Sequence, residues 1–118
     1  MIESTGLDEE ARAELLCYLA IAQLVSKARG GVWLRTDHLV ESTRIWLAGN
    51  GAKANWSERV ELGTLSKKIA LGLIGLPGFA DTECLARLFT DGWRLDYRSP
   101  VVRGIYSACV AELNGEAT

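Results

Sequence analysis

Histidine is nearly absent from this sequence, and its scarcity restricts the enzyme classes to which the chain can belong. The 118 residues include a single histidine, His38, beside Asp37 in the first turn of a predicted helix. General acid–base catalysis usually uses a histidine, or carboxylates in a pocket that tunes their pKa values. A protonated imidazole is also slightly disfavoured at the amino-terminal end of a helix. We therefore expect His38 to be exposed or to cap the helix, and we expect no catalytic residue.

Cysteine is also sparse, and it lacks the spacing of a metal site. Cys17, Cys84 and Cys109 cannot all pair within one chain. They fall in apolar helical segments without a Cys-x-x-Cys pair, so we predict reduced core residues rather than nucleophiles or zinc ligands. A phosphate-binding glycine loop, a Gly-x-Ser-x-Gly turn and a His-Glu metal motif are missing as well. The sequence predicts a protein that is not an enzyme and that needs neither metal nor cofactor.

Long apolar runs do not occur either. The two longest uncharged ones, 15–26 and 69–80, have 12 residues each, whereas a membrane span needs about 20. The chain starts with acidic residues where a secretory signal would be basic, so we expect a cytoplasmic protein without a membrane partner. Hydrophobic residues make up 48% and charged residues 24%, which is typical of a globular chain. The length fits one domain, 1–118.

Helical periodicity interrupted by stop signals is the main feature that the sequence does contain. Five helices are predicted, the first from after Thr5 or Gly6 to Gly30-Gly31, and the others at about 37–47, 56 to 72 or 75, 81–90 and 100–113. Asn55 and Glu58 form a capping-box pattern, and Ser99-Pro100 supplies a cap followed by proline at the first helical position. The segment 32–35 could be extended or a poor strand. The predicted fold is an all-α, single-domain five-helix bundle.

The first predicted helix is apolar on nearly all of its sides. Between residues 15 and 25, Gln23 is the one conventionally polar residue, although a surface helix normally exposes a polar face. Such a helix either runs through the centre of its own domain or buries its second face against another chain. Because 118 residues offer little to surround it, we favour the second arrangement. We expect a homodimer through this helix, with self-association chiefly at Leu16, Ala20 and Leu24.

Large apolar side chains near the ends of the predicted elements favour protein recognition. The chain has four tryptophans, at positions 33, 46, 56 and 93, and tryptophan is enriched at interaction hot spots. Each tryptophan, taken by itself, is compatible with a position in which its side chain covers the hydrophobic core of the same chain. Together with the over-apolar first helix they favour an interface, since an exposed apolar patch otherwise promotes aggregation. The residues predicted to face a protein partner are Val32, Trp33, Leu34, Leu76 and Phe79.

A small helix-turn-helix DNA-binding regulator is the main alternative. The stretch 36–68 is net positive, but its cations lie among acidic residues. The candidate cations are Arg44, Arg59, Lys67 and Lys68, and they are opposed by Glu41, Glu58 and Glu61. Neutralisation of phosphates by cationic side chains dominates DNA affinity, and a chain of net charge −2 has no excess of positive charge for such contacts. We expect no direct contact with nucleic acid. A phage-type blocker of another host protein complex would leave the same sequence features.

The whole chain resembles the QslA-type antiactivators of quorum sensing, which target LuxR-type transcription regulators. The likeness lies in length, helical pattern, acidic start and lack of catalytic residues, and in the stretches Gly-Gly-Val-Trp-Leu-Arg-Thr-Asp-His-Leu-Val (30–40) and Leu-Pro-Gly-Phe-Ala-Asp (76–81). No functional residue is carried over by motif. The resemblance implies a helical homodimer that binds the regulator's ligand-binding domain, blocks its dimerisation and so prevents DNA binding. We therefore predict a non-enzymatic inhibitory binding protein.

Overall fold

The first helix lies at the centre of the fold, and the other helices pack around it. In a computed structural model, which describes residues 7–76, 85, 87–90 and 94–115, the chain is mostly helical. The described elements are α1 Glu9–Gly30, α2 Thr36–Asn50, α3 Trp56–Leu73, β1 Phe89–Thr90, β2 Arg94–Leu95 and α4 Pro100–Leu113. α1 contacts α2, α3 and α4. The prediction of an all-α fold is confirmed.

Capping and stop residues fix the helix boundaries. Asp8 precedes α1, and its side chain accepts a hydrogen bond from a backbone amide of the first turn at 2.7 Å. α1 ends before Gly31, whose φ of 69° is a left-handed conformation that favours glycine. Asn55 caps α3 as predicted and accepts from the Glu58 amide at 2.7 Å. The Glu58 carboxylate accepts instead from the Leu7 amide, 3.2 Å from Oε1, which joins the segment before α1 to α3.

The predicted fourth helix, 81–90, is the part of the fold prediction that needs correction. Of that segment the structure describes Leu85, which is helical, and 87–90, where a turn leads into β1 at Phe89 and Thr90, so the predicted end of the helix at residue 90 is wrong. β1 pairs antiparallel with β2, with Phe89 opposite Leu95. The described residues therefore contain four helices and one two-stranded sheet, and the five-helix count is not supported. Strands of two residues are too short to produce an alternating pattern in the sequence.

Both faces of α1 are covered by the chain itself. Residues 13, 15–21, 23 and 24 of this helix are all buried. Leu16, Ala20 and Leu24, the residues predicted to self-associate, are 0%, 0% and 1% exposed. They form the core of a single chain and leave no side-chain surface for a second copy, so the structure corrects their assignment. Of the two arrangements open to an over-apolar helix, α1 adopts the central one.

The two described cysteines lie in the core, and the single histidine lies at the surface. Cys17 and Cys109 are buried and free, in agreement with the prediction of core thiols, and Cys84 lies outside the described residues. His38 is exposed in the first turn of α2. Within the described ranges, no three histidine, cysteine or carboxylate side chains are grouped as a metal site requires. No described helix has the length and apolar character needed to cross a membrane.

Candidate functional site

The link between α1 and α2, residues 31–35, is neither helix nor strand. Gln23, the polar exception in the apolar run of α1, anchors its backbone. This residue is 3% exposed, and its Oε1 accepts a hydrogen bond from the Leu34 amide at 2.8 Å. Burial of an amide side chain without a partner would be unfavourable, so the contact explains why a glutamine interrupts the run. Sequence reasoning noted Gln23 but missed this role, which a lone polar residue in a buried helix could have indicated.

Two further side chains of α1 hold the start of the link. The Ser26 hydroxyl donates to the Val32 carbonyl oxygen at 3.2 Å. The Lys27 ammonium donates to the Gly31 carbonyl oxygen at 2.8 Å. Together with the glutamine contact, these bonds restrict the link backbone along most of its length. The predicted partner-facing residues of the link therefore sit on a backbone that α1 has already ordered.

Trp33 joins the link to α3 as well as to α1. Its half-buried ring packs against the core. The Lys27 Nζ lies 5.1 Å and the Lys67 Nζ 5.7 Å from the ring centroid. Ammonium groups are attracted to the face of an indole ring, so the two lysines hold the tryptophan between the end of α1 and α3. Trp33 thus covers part of the core, and the two ammonium groups make the surroundings of its ring positively charged.

Val32 and Leu34 line an open apolar cavity of about 450 Å³. The rest of its described wall comes from α1, α2 and β1, through Tyr18, Ala22, Val25, Ser26, Arg29, Gly30, Ser42, Ile45 and Phe89. Val32 is 60% exposed at this cavity. The Tyr18 and Phe89 rings meet edge to face with their centroids 5.1 Å apart. Cavities of this volume and character accept small ligands.

The structure brings together some of the predicted partner-facing residues and separates others. Val32 and Leu34 share the cavity wall, whereas Trp33 between them is not part of it. Leu76, 49% exposed just beyond α3, does not line the cavity. Phe79 lies outside the described residues. Sequence reasoning did not find the contributions of α2 and β1, because residues that meet only in the folded chain leave no local pattern.

Comparisons with protein families, with curated proteins and with solved structures find no match to this chain. No residue role is therefore transferred from a relative.

Proposed function

We propose that this chain is a non-enzymatic inhibitory binding protein that masks the dimerisation surface of a LuxR-type quorum-sensing regulator and so prevents the regulator from binding DNA. The observation that carries the proposal is the 60% exposure of Val32 on a link whose backbone is held by α1. An exposed apolar side chain on an ordered backbone, beside an open apolar cavity, suits contact with another protein. The choice of partner, the regulator's ligand-binding domain, comes from the whole-chain resemblance.

The ordered link favours binding because little backbone freedom is lost when a partner arrives. The hydrogen bonds from Gln23, Ser26 and Lys27 restrict the link before any contact is made. The partner then has to cover Val32 and the rim of the cavity. Occlusion of this kind needs no chemistry, only a higher affinity for the monomeric regulator than for its dimer.

The homodimer in this proposal needs a surface other than the buried residues of α1. The outer face of α3 offers one, since Trp56, Val60 and Leu71 are 52%, 42% and 55% exposed. Their spacing of four and eleven residues places them on one side of the helix. Val60→Glu is then expected to yield a monomer in sedimentation experiments with its helix content retained. A dimer that persists in this variant would exclude the α3 face.

The proposal is tested by isothermal titration calorimetry. The dissociation constant for the purified ligand-binding domain of a LuxR-type regulator is measured with the unmodified chain and with two matched variants of it. Val32→Asp places a charge on the link, and Val101→Asp places one at the start of α4, where the valine is 43% exposed and outside the cavity wall. We expect roughly 30-fold weaker binding for Val32→Asp, about 2 kcal/mol, and a change within about twofold for Val101→Asp. Equal effects of the two variants, or no binding by the unmodified chain, would refute the proposal.

The DNA-binding alternative is separated by a titration with labelled duplex at two salt concentrations. Arg44 pairs with Glu41 and Lys68 with Glu112, so two of the cations considered for nucleic-acid contact are already neutralised within the chain. We expect no binding with a steep salt dependence, because few phosphates could be neutralised. A steep negative salt slope would favour a DNA-binding regulator. Capture of an unrelated complex, and not of the regulator, would favour a blocker of another target.

A further inference from the structure

The outer face of α3 carries apolar side chains along one flank and charges along the other. Thr64 is exposed and lies opposite Leu62 and Ser66, which are buried in the core, so it marks the middle of this face. At about 100° per residue, Glu61 and Lys68 lie within about 60° of Thr64 on one side, and we call these two residues the charged strip. The apolar side chains within about 80° on the other side form the apolar strip, which consists of Trp56, Val60 and Leu71.

The charged strip is ordered along the helix, with its acid near the start and its base near the end. Glu61 precedes Thr64 by three residues, and Lys68 follows it by four. If a second α3 ran parallel across this face, the two glutamates would lie side by side, and so would the two lysines. Like charges in such positions are unfavourable. In an antiparallel pair centred on Thr64, Glu61 of one copy lies beside Lys68 of the other, within about 1.5 Å of the same level along the axes.

The same antiparallel pair also brings the two apolar strips together. The two-fold axis that relates antiparallel helices is perpendicular to both, so it leaves the strips on the same side of the pair. Trp56 of one copy then lies within about 1.5 Å of the level of Leu71 of the other, and Val60 within about 4.5 Å. Lys67, which borders the apolar strip, has its ammonium 5.7 Å from the centroid of the Trp33 ring and thus beside the link. Each side chain of the apolar strip is at least 42% exposed, so its burial would stabilise association.

The charged strip retains the capacity to bind groups outside its own chain. Glu61 accepts a hydrogen bond from the Arg12 guanidinium through Oε1 at 2.6 Å, and its side chain remains 56% exposed. Lys68 donates to Glu112 at 2.9 Å and remains 66% exposed. A carboxylate has a second oxygen, and an ammonium has three N–H groups. Each member of the strip is therefore able to add a bond to a second copy without losing its present partner.

We propose that two copies of this chain associate through antiparallel α3 helices, with the two-fold axis beside Thr64 and with Glu61 of each copy paired to Lys68 of the other. This inference rests on the α3 homodimer in the proposed function, and it adds the direction and register of the two helices. Its tests use the chain without a regulator. A failure of this pairing is therefore distinguishable from a failure to bind the regulator, which calorimetry measures.

The first test exchanges the charges, and sedimentation equilibrium measures the dissociation constant of the dimer. Glu61→Lys and Lys68→Glu each place like charges together in their homodimers, so at least ~10-fold weaker self-association is expected. An equimolar mixture restores both opposite-charge pairs in the heterodimer, whose affinity should lie within about threefold of the unmodified value. Glu41→Lys and Arg103→Glu, at exposed positions of α2 and α4, are matched controls and should associate normally. Unchanged homodimers of both strip variants, a mixture that stays monomeric, or a monomeric unmodified chain would each overturn the pairing.

The second test is oxidative cross-linking with diamide, which distinguishes antiparallel from parallel helices. Thr64→Cys places two thiols at the two-fold axis, where helices about 8–10 Å apart have roughly 3.5–5.5 Å between their facing Cα atoms. A disulfide joins Cα atoms about 4.4–6.8 Å apart. Ser57→Cys, exposed on the same face, is the matched control, because an antiparallel pair separates its thiols by about 21 Å along the axes. With Cys84→Ser present in both variants, we expect a covalent dimer of Thr64→Cys and none of Ser57→Cys. Any other pattern, including equal cross-linking of the two, would overturn the proposal.

Discussion

A glutamate at position 16 distinguishes a core residue from an interface residue, because the two roles predict opposite outcomes. Leu16 lies in the middle of α1 and is 0% exposed. Leu16→Glu removes about 1.5–3 kcal/mol of favourable apolar burial. It also places a carboxyl group where no solvent reaches, which costs about 2 kcal/mol or more even in the protonated form. The two terms together amount to a loss of about 3.5–5 kcal/mol or more, which is a large part of the about 5–15 kcal/mol by which a domain is stable to unfolding.

The assay is urea unfolding followed by circular dichroism, together with sedimentation of each variant. Leu16→Ala is expected to remain folded and to lose about 2.7–5 kcal/mol of unfolding free energy. Val101→Glu is the matched control, because Val101 is 43% exposed on α4 and lies outside the proposed α3 face, and its effect should stay within about 0.5 kcal/mol. A Leu16→Glu variant that unfolds with an unchanged midpoint, and differs only by changing from dimer to monomer, would refute the central position of α1.

Three further predictions concern stability, each measured as a urea midpoint. Gly63→Ala should lower it, because the new Cβ would lie 2.6 Å from a methyl carbon of Leu39, whereas Gly104→Ala meets nothing within 4 Å and should raise unfolding free energy by about 0.5–1 kcal/mol. Gln23→Leu leaves a link amide without its acceptor, so a loss of about 1–3 kcal/mol and faster hydrogen exchange of that amide are expected. Burial, followed by neighbouring carboxylates, raises the pKa of Glu14 above its ordinary 4.5. The folded chain therefore holds this proton more tightly, and the stabilisation present at low pH is lost as pH rises through the raised pKa. Glu14→Gln should raise the midpoint at pH 7 and change it little at pH 3.

Helix positions were predictable from the sequence because their signals are local. Gly31 ends α1, Asn55 caps α3, and Pro100 starts α4 as the proline pattern predicts. Each of these residues acts on the backbone within one turn of itself, so no knowledge of the tertiary structure is needed. The second helix shows the limit of such signals. It runs on through Gly49 to Asn50, since the left-handed conformation that ends it is adopted by Gly51.

The position of α1 was not predictable in the same way, because periodicity shows which faces of a helix are apolar but not what covers them. A helix that is apolar all round satisfies the same pattern in the centre of a domain and in a dimer interface. The two short strands are part of what covers α1, since Phe89 on β1 packs against Tyr18 of α1. Their pairing depends on residues brought together by the fold, which the sequence around 89–95 does not reveal.

In the candidate site, a single buried polar residue connects a local feature of the sequence to the tertiary structure. Gln23 looks like a defect in an apolar helix when only periodicity is considered. In the folded chain its Oε1 holds the Leu34 amide at 2.8 Å, and that bond helps to fix the course of the link past the end of α1. The exposure of Val32 follows from this course rather than from the local sequence, because an unanchored link could turn the valine toward the core, where apolar burial would stabilise it. Gln23, a buried residue of α1, thus helps to determine that Val32 is exposed at the surface.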